Sequence, residues 1–237
     1  LAGVAFPWRT EQSHTMMIGS TGTGKTTLMR ALIAQMRMRR DRAVVFDLTG
    51  AYVEAFYNPQ TDVILNPMDE RCPSWSVFGE AKNHADFTGI AAALLPADGG
   101  GAEPFWMLAA RTLFVETCIK LIKDGQATNQ ALASRLMMAD LKEVHKMLEN
   151  TVADPLTAPE AAKMAESIRA VFNTNAQALR FLPEGKEPFS IQAWIRTDDK
   201  PGSILFITSS HNELVLNRAL LSLWMNLAVH TLMRLPR

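Results

Sequence analysis

The stretch MMIGSTGTGKTT, residues 16–27, joins a short apolar segment to a glycine-rich turn and then to the start of a helix. Gly19, Gly24, Lys25 and Thr26 meet the spacing G-x-x-x-x-G-K-[ST], which is the pattern of a phosphate-binding loop. Glycines let successive backbone N–H groups turn toward one anion, and the helix that follows adds the positive end of its dipole. The stretch therefore predicts a nucleotide-binding site at the start of a helix.

The side chains of this loop have roles that an anionic ligand requires. Lys25 would contact the β and γ phosphates as a point charge and is the candidate catalytic residue, while the Thr26 hydroxyl would bind a magnesium ion. The predicted cofactors are thus ATP and Mg²⁺. The residues predicted to bind the nucleotide are Gly19, Ser20, Thr21, Gly22, Thr23, Gly24, Lys25, Thr26 and Thr27.

The neighbouring segments favour this interpretation over a chance match in a flexible loop. Residues 26–39 place apolar side chains on one helical face, and His14–Ile18 has the pattern of a short strand. The next apolar run, 43–46, is typical of a parallel strand that is covered on both faces. Strand, loop, helix and strand form one βαβ unit, whose ligands bind at the carboxyl ends of the strands.

Polar side chains follow two of the predicted strands, and each has two roles open to it. Asp47 would lie near the phosphates, where it could act as the second acidic residue of the site or cap the helix that follows. Ser209, Ser210 and His211 follow the strand at 204–208 and could sense the nucleotide or cap the last helix. Capping is the favoured role in both places.

Composition limits the class of protein. The 237 residues, 48% of them hydrophobic, can bury a large core, and a net charge of zero gives no overall attraction for nucleic acid. Cys72 and Cys118 lie outside any metal-ligand spacing, which indicates core thiols. The most apolar helical segment, 214–235, is interrupted by polar residues, so it is predicted to be a buried helix and not a membrane span.

The order of strand and helix signals predicts three parts. Residues 1–80 would form the first part of the nucleotide-binding domain, 81–183 an inserted all-α domain, and 184–237 the return to the nucleotide-binding domain. Within the inserted part, charges of both signs are mixed, which is more typical of a solvated helical surface than of a DNA track. The helices predicted there are Phe105–Leu121, Ala131–Met138, Asp140–Leu148 and Pro159–Leu179.

Further stretches, together with the loop and the strand that ends in Asp47, carry a resemblance to a known family. They are ILNPMDERCPSWSVF (64–78), EPFWMLAARTLF (103–114), ILFITSS (204–210) and ALLSLWMNLAV (219–229). The chain resembles, over nearly its whole length, the TraD/TrwB-like coupling ATPases of conjugative and type IV secretion systems. The Asn-Pro-x-Asp-x-Arg-x-x-x-Trp stretch is far more selective for this family than the phosphate loop, which many unrelated enzymes share.

The resemblance implies an α/β fold, a RecA-like P-loop NTPase domain with an inserted all-α subdomain. It implies a coupling ATPase that works as a hexamer at the cytoplasmic face of the bacterial inner membrane. Its substrate would be single-stranded DNA or a relaxase–DNA complex, which it would pass to the type IV secretion channel. An arginine from a neighbouring subunit would complete each ATP site.

In this family a further apolar strand follows the helix with which this sequence stops, and it ends in the acidic residue that holds magnesium and polarises the attacking water. We therefore expect a motor domain that is truncated at Arg237, lacks the membrane anchor and hydrolyses little ATP as a fragment. Two other functions stay open. One is a P-loop kinase or phosphotransferase that uses the helical block as a lid, and the other is a non-hydrolysing module that docks partner proteins.

Overall fold

The computed structural model describes residues 13–96, 105–197 and 199–235. Its helices are α1 (Lys25–Met38), α2 (Ala51–Phe56), α3 (Val77–Glu80), α4 (His84–Leu94), α5 (Phe105–Lys123), α6 (Asn129–Met137), α7 (Leu141–Leu148), α8 (Asp154–Thr157), α9 (Ala162–Asn175), α10 (Ile191–Arg196) and α11 (Leu214–Met233). Its strands are β1 (Ala43–Asp47), β2 (Val63–Leu65), β3 (Ser74–Trp75), β4 (Pro188–Phe189) and β5 (Ile204–Thr208).

Three parallel strands form the central sheet, in the order β1-β5-β2. Ala43 of β1 is opposite Ile204 of β5, and Val63 of β2 is opposite Leu205. Every residue of β5 is buried, as expected of a middle strand covered on both faces. Because the strands are parallel, their amino ends share one edge of the sheet and their carboxyl ends share the other.

Helices cover both faces of this sheet, and successive residues of β5 divide between them. Ile204 and Phe206 pack in one cluster with Ile33 of α1. Leu205 and Ile207 belong to a larger core that continues without a break into the helical block. The sheet is therefore the middle of three layers, while the domain boundaries near residues 80 and 183 stay a prediction.

The short pair of strands β3 and β4 brings a tryptophan into the larger core. Trp75 packs edge to face on Trp224 with ring centroids 5.6 Å apart, and its Nε1 donates to Glu80 Oε1 at 2.9 Å. The buried Glu80 carboxylate also accepts from the backbone N–H groups of Ile191 and Gln192, at 2.6 and 3.2 Å. These donors offset the cost of burying a charge, so Glu80 ties α3 to the first turn of α10.

A second buried carboxylate, that of Asp62, fixes the carboxyl end of α1. Arg37 donates to both of its oxygens, at 3.2 and 2.6 Å, and also to the carbonyl of Phe56 at 2.6 Å. Asn58 N–H and Ile204 N–H donate to the same carboxylate at 2.9 and 3.0 Å. Asp62 therefore joins α1 and α2 to the amino ends of β2 and β5.

Most elements predicted from the sequence are confirmed. The strands expected after the first helix are β1, β2 and β5, and the helix expected at 26–39 is α1. Both cysteines are buried core thiols, and burial raises the pKa of Cys72 to about 11. Along 13–96, 105–197 and 199–235, no helix combines the length and the apolar content that crossing a bilayer requires.

The strand predicted at His14–Ile18 is wrong, because this segment pairs with no strand among the described residues. The side chains of Met16 and Ile18 are 83% and 85% exposed. A strand is held by the backbone hydrogen bonds of a neighbour, and the only described strand that pairs with β1 is β5. An apolar pattern in the sequence therefore does not by itself predict that a segment pairs as a strand.

The single helix predicted at Pro159–Leu179 is also wrong, since it is divided into three pieces. The 3₁₀ segments Pro159–Ala161 and Gln177–Phe181 lie on either side of α9. At the end of α9, Thr174 Oγ1 and Asn175 Nδ2 donate to backbone carbonyls one turn earlier, at 2.9 and 3.0 Å. Such side-chain bonds compete with the helical ladder at the carboxyl end of α9.

Candidate nucleotide-binding site

The glycine-rich loop leads directly into α1 and is exposed. Gly22 and Gly24 have φ angles of 85° and 87°, a left-handed conformation that other residues rarely adopt. Gly24 is the N-cap of α1, and no side chain caps the helix there. The first N–H groups of α1 are therefore free of a side-chain cap, which is the arrangement that suits an anionic ligand.

The Lys25 side chain folds back over this loop. Its Nζ donates to the carbonyls of Gly19 and Ser20 at 2.7 and 2.6 Å. Thr26 and Thr27 lie in the exposed first turn of α1, so their hydroxyls are accessible. The nine residues predicted to bind the nucleotide thus lie in one continuous stretch, and all of them except the half-buried Lys25 are exposed.

Contacts at both ends of α1 establish which edge of the sheet the loop occupies. The carboxyl end is held by Arg37 at the amino ends of β2 and β5. Nearer its start, Arg30 Nη2 donates to the carbonyl of Ala51, which follows the carboxyl end of β1, at 3.3 Å. The helix has 14 residues and is about 21 Å long, so the loop lies toward the carboxyl edge of the sheet.

Asp47 lies at this same edge, opposite Thr208 of β5. Its buried Oδ2 accepts from the N–H groups of Tyr52 and Val53 at 2.8 and 3.0 Å, and its Oδ1 accepts from the Thr49 hydroxyl at 3.1 Å. The N-cap residue of α2 is Gly50, so the Asp47 carboxylate fills the capping role favoured from the sequence without standing at the N-cap position. A role for Asp47 toward magnesium stays a prediction.

The capping role favoured for Ser209, Ser210 and His211 is wrong. The N-cap of α11 is Glu213, and no side chain caps it. Ser209 instead accepts a hydrogen bond at 3.0 Å from Nδ2 of the buried Asn217, which is the fourth residue of α11. The sequence carried no signal for this pair, because a buried asparagine in an apolar helix has no pattern of its own.

Residues 66–71, which follow β2 and belong to the stretch that carries the resemblance, form a tight turn. Asn66 Oδ1 accepts from the N–H of Met68 at 3.0 Å, and Asp69 accepts from Arg71 Nε and Nη2 at 2.9 and 2.7 Å. The Arg71 guanidinium lies 5.0 Å from the centre of the Tyr57 ring. These contacts stabilise the connection between β2 and β3.

The Asp69–Arg71 pair makes stability depend on pH. Hydrogen bonds from the Arg71 side chain lower the pKa of Asp69, so the folded protein binds this proton less readily than the unfolded chain. The contribution is present above the unfolded pKa of roughly 4 and is lost as pH falls through the lower folded value. We expect Asp69→Asn to lower the free energy of unfolding by about 1 kcal/mol at pH 7. Urea titrations at decreasing pH should show the difference shrinking, and a difference that stays constant would contradict this.

The chain is similar to known proteins over most of its length. Residues 1–237 match the family described as type IV secretion-system coupling protein DNA-binding domain. Coupling protein TraD of Escherichia coli (strain K12) is 32% identical over 220 residues, which are 91% of this chain and 30% of TraD. The chain thus spans less than a third of that relative.

Solved structures of a conjugative coupling protein share the fold. Unbound TrwBdeltaN70 in its monoclinic form superimposes with a TM-score of 0.79 at 32% identity, over 92% of this chain and 51% of that one. TrwB in complex with ADP and Mg²⁺ gives 0.80 at 31% identity, over 92% and 52%. The α/β class with a RecA-like sheet and a helical insertion, predicted from the sequence, is confirmed.

Proposed function

Because this chain belongs to the family of type IV secretion-system coupling protein DNA-binding domains, we propose that it is the nucleotide-binding part of a coupling ATPase for conjugative DNA transfer. The observation that carries the proposal is the loop at the start of α1, where Lys25, the uncapped N–H groups and the Thr26 hydroxyl are grouped at the carboxyl edge of the sheet. TrwB, which is similar over 92% of this chain, has been solved with ADP and Mg²⁺.

In this proposal the residues 19–27 bind Mg²⁺-ATP. Backbone N–H groups of the loop hold the phosphates, Lys25 neutralises their charge, and the Thr26 hydroxyl supplies one magnesium ligand. Hydrolysis by the whole protein needs a second acidic residue. Among the described residues, the outer edge of β1 has no partner strand, and Phe46 of β1 is 44% exposed. This open edge supports the proposal that a further strand beside β1 supplies the second acidic residue. Asp47 is the alternative within this chain.

The assembly is proposed from the family alone. The whole protein would act as a hexamer at the inner membrane, engage a relaxase with its single-stranded DNA, and pass them to the secretion channel. An arginine of a neighbouring subunit would complete each site. The inserted helical part, 81–183, would stand at the cytoplasmic side of the motor.

ATP turnover tests this function. We expect the full-length coupling protein to hydrolyse ATP faster when single-stranded DNA is added, and the 237-residue chain to bind Mg²⁺-ATP but turn over little of it. The control is double-stranded DNA of the same length. Rapid turnover by the chain itself, indifferent to DNA and linked to phosphate transfer to a small acceptor, would contradict the proposal and favour a P-loop kinase.

A further inference from the structure

Thr23, inside the loop, makes two contacts that its place in the motif does not require. Its hydroxyl donates to the Ser20 carbonyl at 2.8 Å, and its N–H donates to the same oxygen at 3.4 Å. Its side chain also covers Gly19 so closely that a Cβ on Gly19 would meet Thr23 Oγ1 at 2.5 Å. Real Cβ atoms essentially never come this near, so a side chain at position 19 would require the Thr23 side chain to move.

The Ser20 carbonyl is the group that this contact controls. Lys25 Nζ donates to it at 2.6 Å in addition to the two donors of Thr23. In a trans peptide the carbonyl and the next N–H point in opposite directions, so holding the Ser20 oxygen also sets the direction of the Thr21 N–H. If this peptide rotated by half a turn, a carbonyl oxygen would replace an N–H group in a loop that must attract an anion.

We propose that Thr23 is a positioning residue of the nucleotide site, which holds the Ser20–Thr21 peptide in its binding orientation. This inference rests on the proposed nucleotide binding. When Lys25 turns toward a phosphate it gives up part of its bond to Ser20, and the Thr23 hydroxyl becomes the main side-chain partner of that carbonyl. A side chain at position 19 would compete with the Thr23 hydroxyl for this space.

The test is the affinity for Mg²⁺-ATP, measured by titration of this chain with a fluorescent ATP analogue in magnesium. Thr23→Val keeps the shape and removes the hydroxyl, so we expect binding about 5- to 10-fold weaker, the size of one hydrogen bond. Thr23→Ser restores the hydroxyl and should bind within about 2-fold of wild type. Since the loop is exposed, the unfolding temperature should stay unchanged in both variants.

A double substitution separates positioning from direct contact with the nucleotide. Gly19→Ala forces Thr23 away, and we expect it to weaken binding by about 30-fold or more, beyond the loss of the one hydrogen bond. Thr23→Ala added to Gly19→Ala removes the obstructing oxygen, so the double variant should bind more tightly than Gly19→Ala alone. If Thr23 touched the nucleotide itself, the two losses would add instead.

The outcomes distinguish this inference from the function on which it rests. A wild-type chain that does not bind Mg²⁺-ATP would overturn the proposed nucleotide site and the role of Thr23 with it. A wild-type chain that binds, together with a Thr23→Val variant of equal affinity or a double variant as weak as Gly19→Ala or weaker, would overturn the role of Thr23 alone.

Discussion

Asp62→Ala should lower the free energy of unfolding by about 3–5 kcal/mol, the usual cost of removing one partner of a buried ion pair. The Asp62 side chain is fully buried, and the substitution would leave the Arg37 guanidinium, 26% exposed, without its counter-charge. It would also leave the N–H groups of Asn58 and Ile204 without their acceptor. Urea unfolding followed by circular dichroism measures the change.

The same end of α1 offers a matched control. Asp41 also pairs with an arginine, Arg39, at 2.7 Å, but both side chains are nearly half exposed. Exposed pairs contribute about 0–1 kcal/mol, so Asp41→Ala should have a small effect. Equal losses for the two variants would contradict the view that burial, and not the ion pair as such, makes Asp62 important.

The local sequence pattern was sufficient to predict those elements whose formation depends on neighbouring residues. The spacing of Gly19, Gly24 and Lys25 predicted the loop, and apolar periodicity predicted α1, because glycine conformation and helical faces are properties of neighbouring residues. The apolar run 43–46 likewise predicted a strand, which is β1, but its predicted cover on both faces is wrong for the described residues, because β1 lies at the sheet edge and Phe46 is 44% exposed. The segment His14–Ile18 has a similar composition and forms no strand, since strand formation depends on a partner that no local pattern specifies.

The sequence did not predict the polar contacts between residues that are far apart along the chain. Asp62 binds the N–H of Ile204, 142 residues away, and Glu80 binds that of Ile191, 111 residues away. Nothing near either acid distinguishes it from a solvated surface carboxylate. The role of Thr23 was not predicted for another reason, because the motif permits many residues between its glycines. Only the distance between the Thr23 hydroxyl and Gly19 in the structure indicates the contact.

The other large effect concerns the loop itself. We expect Lys25→Ala to weaken binding of Mg²⁺-ATP by about 100-fold, because a charge-assisted contact to phosphate contributes about 1.5–3 kcal/mol and tenfold in affinity is 1.4 kcal/mol. The fold should be unaffected, since the Lys25 ammonium donates to the carbonyls of Gly19 and Ser20 in its own loop and holds no other element in place among the described residues. Titration with a fluorescent ATP analogue gives the affinity, and circular dichroism checks the fold.

Lys142→Ala is the control, because Lys142 is also a lysine in the first turn of a helix, α7, but it is exposed and lies outside the loop. It removes the same charge from the chain, so any loss that it shares with Lys25→Ala reflects net charge and not the site. In Lys25→Ala the Ser20 carbonyl keeps its bond to Thr23, so the loop should hold its shape while its charge is gone. Wild-type affinity in Lys25→Ala would therefore mean that the nucleotide binds elsewhere, and it would overturn the proposed site.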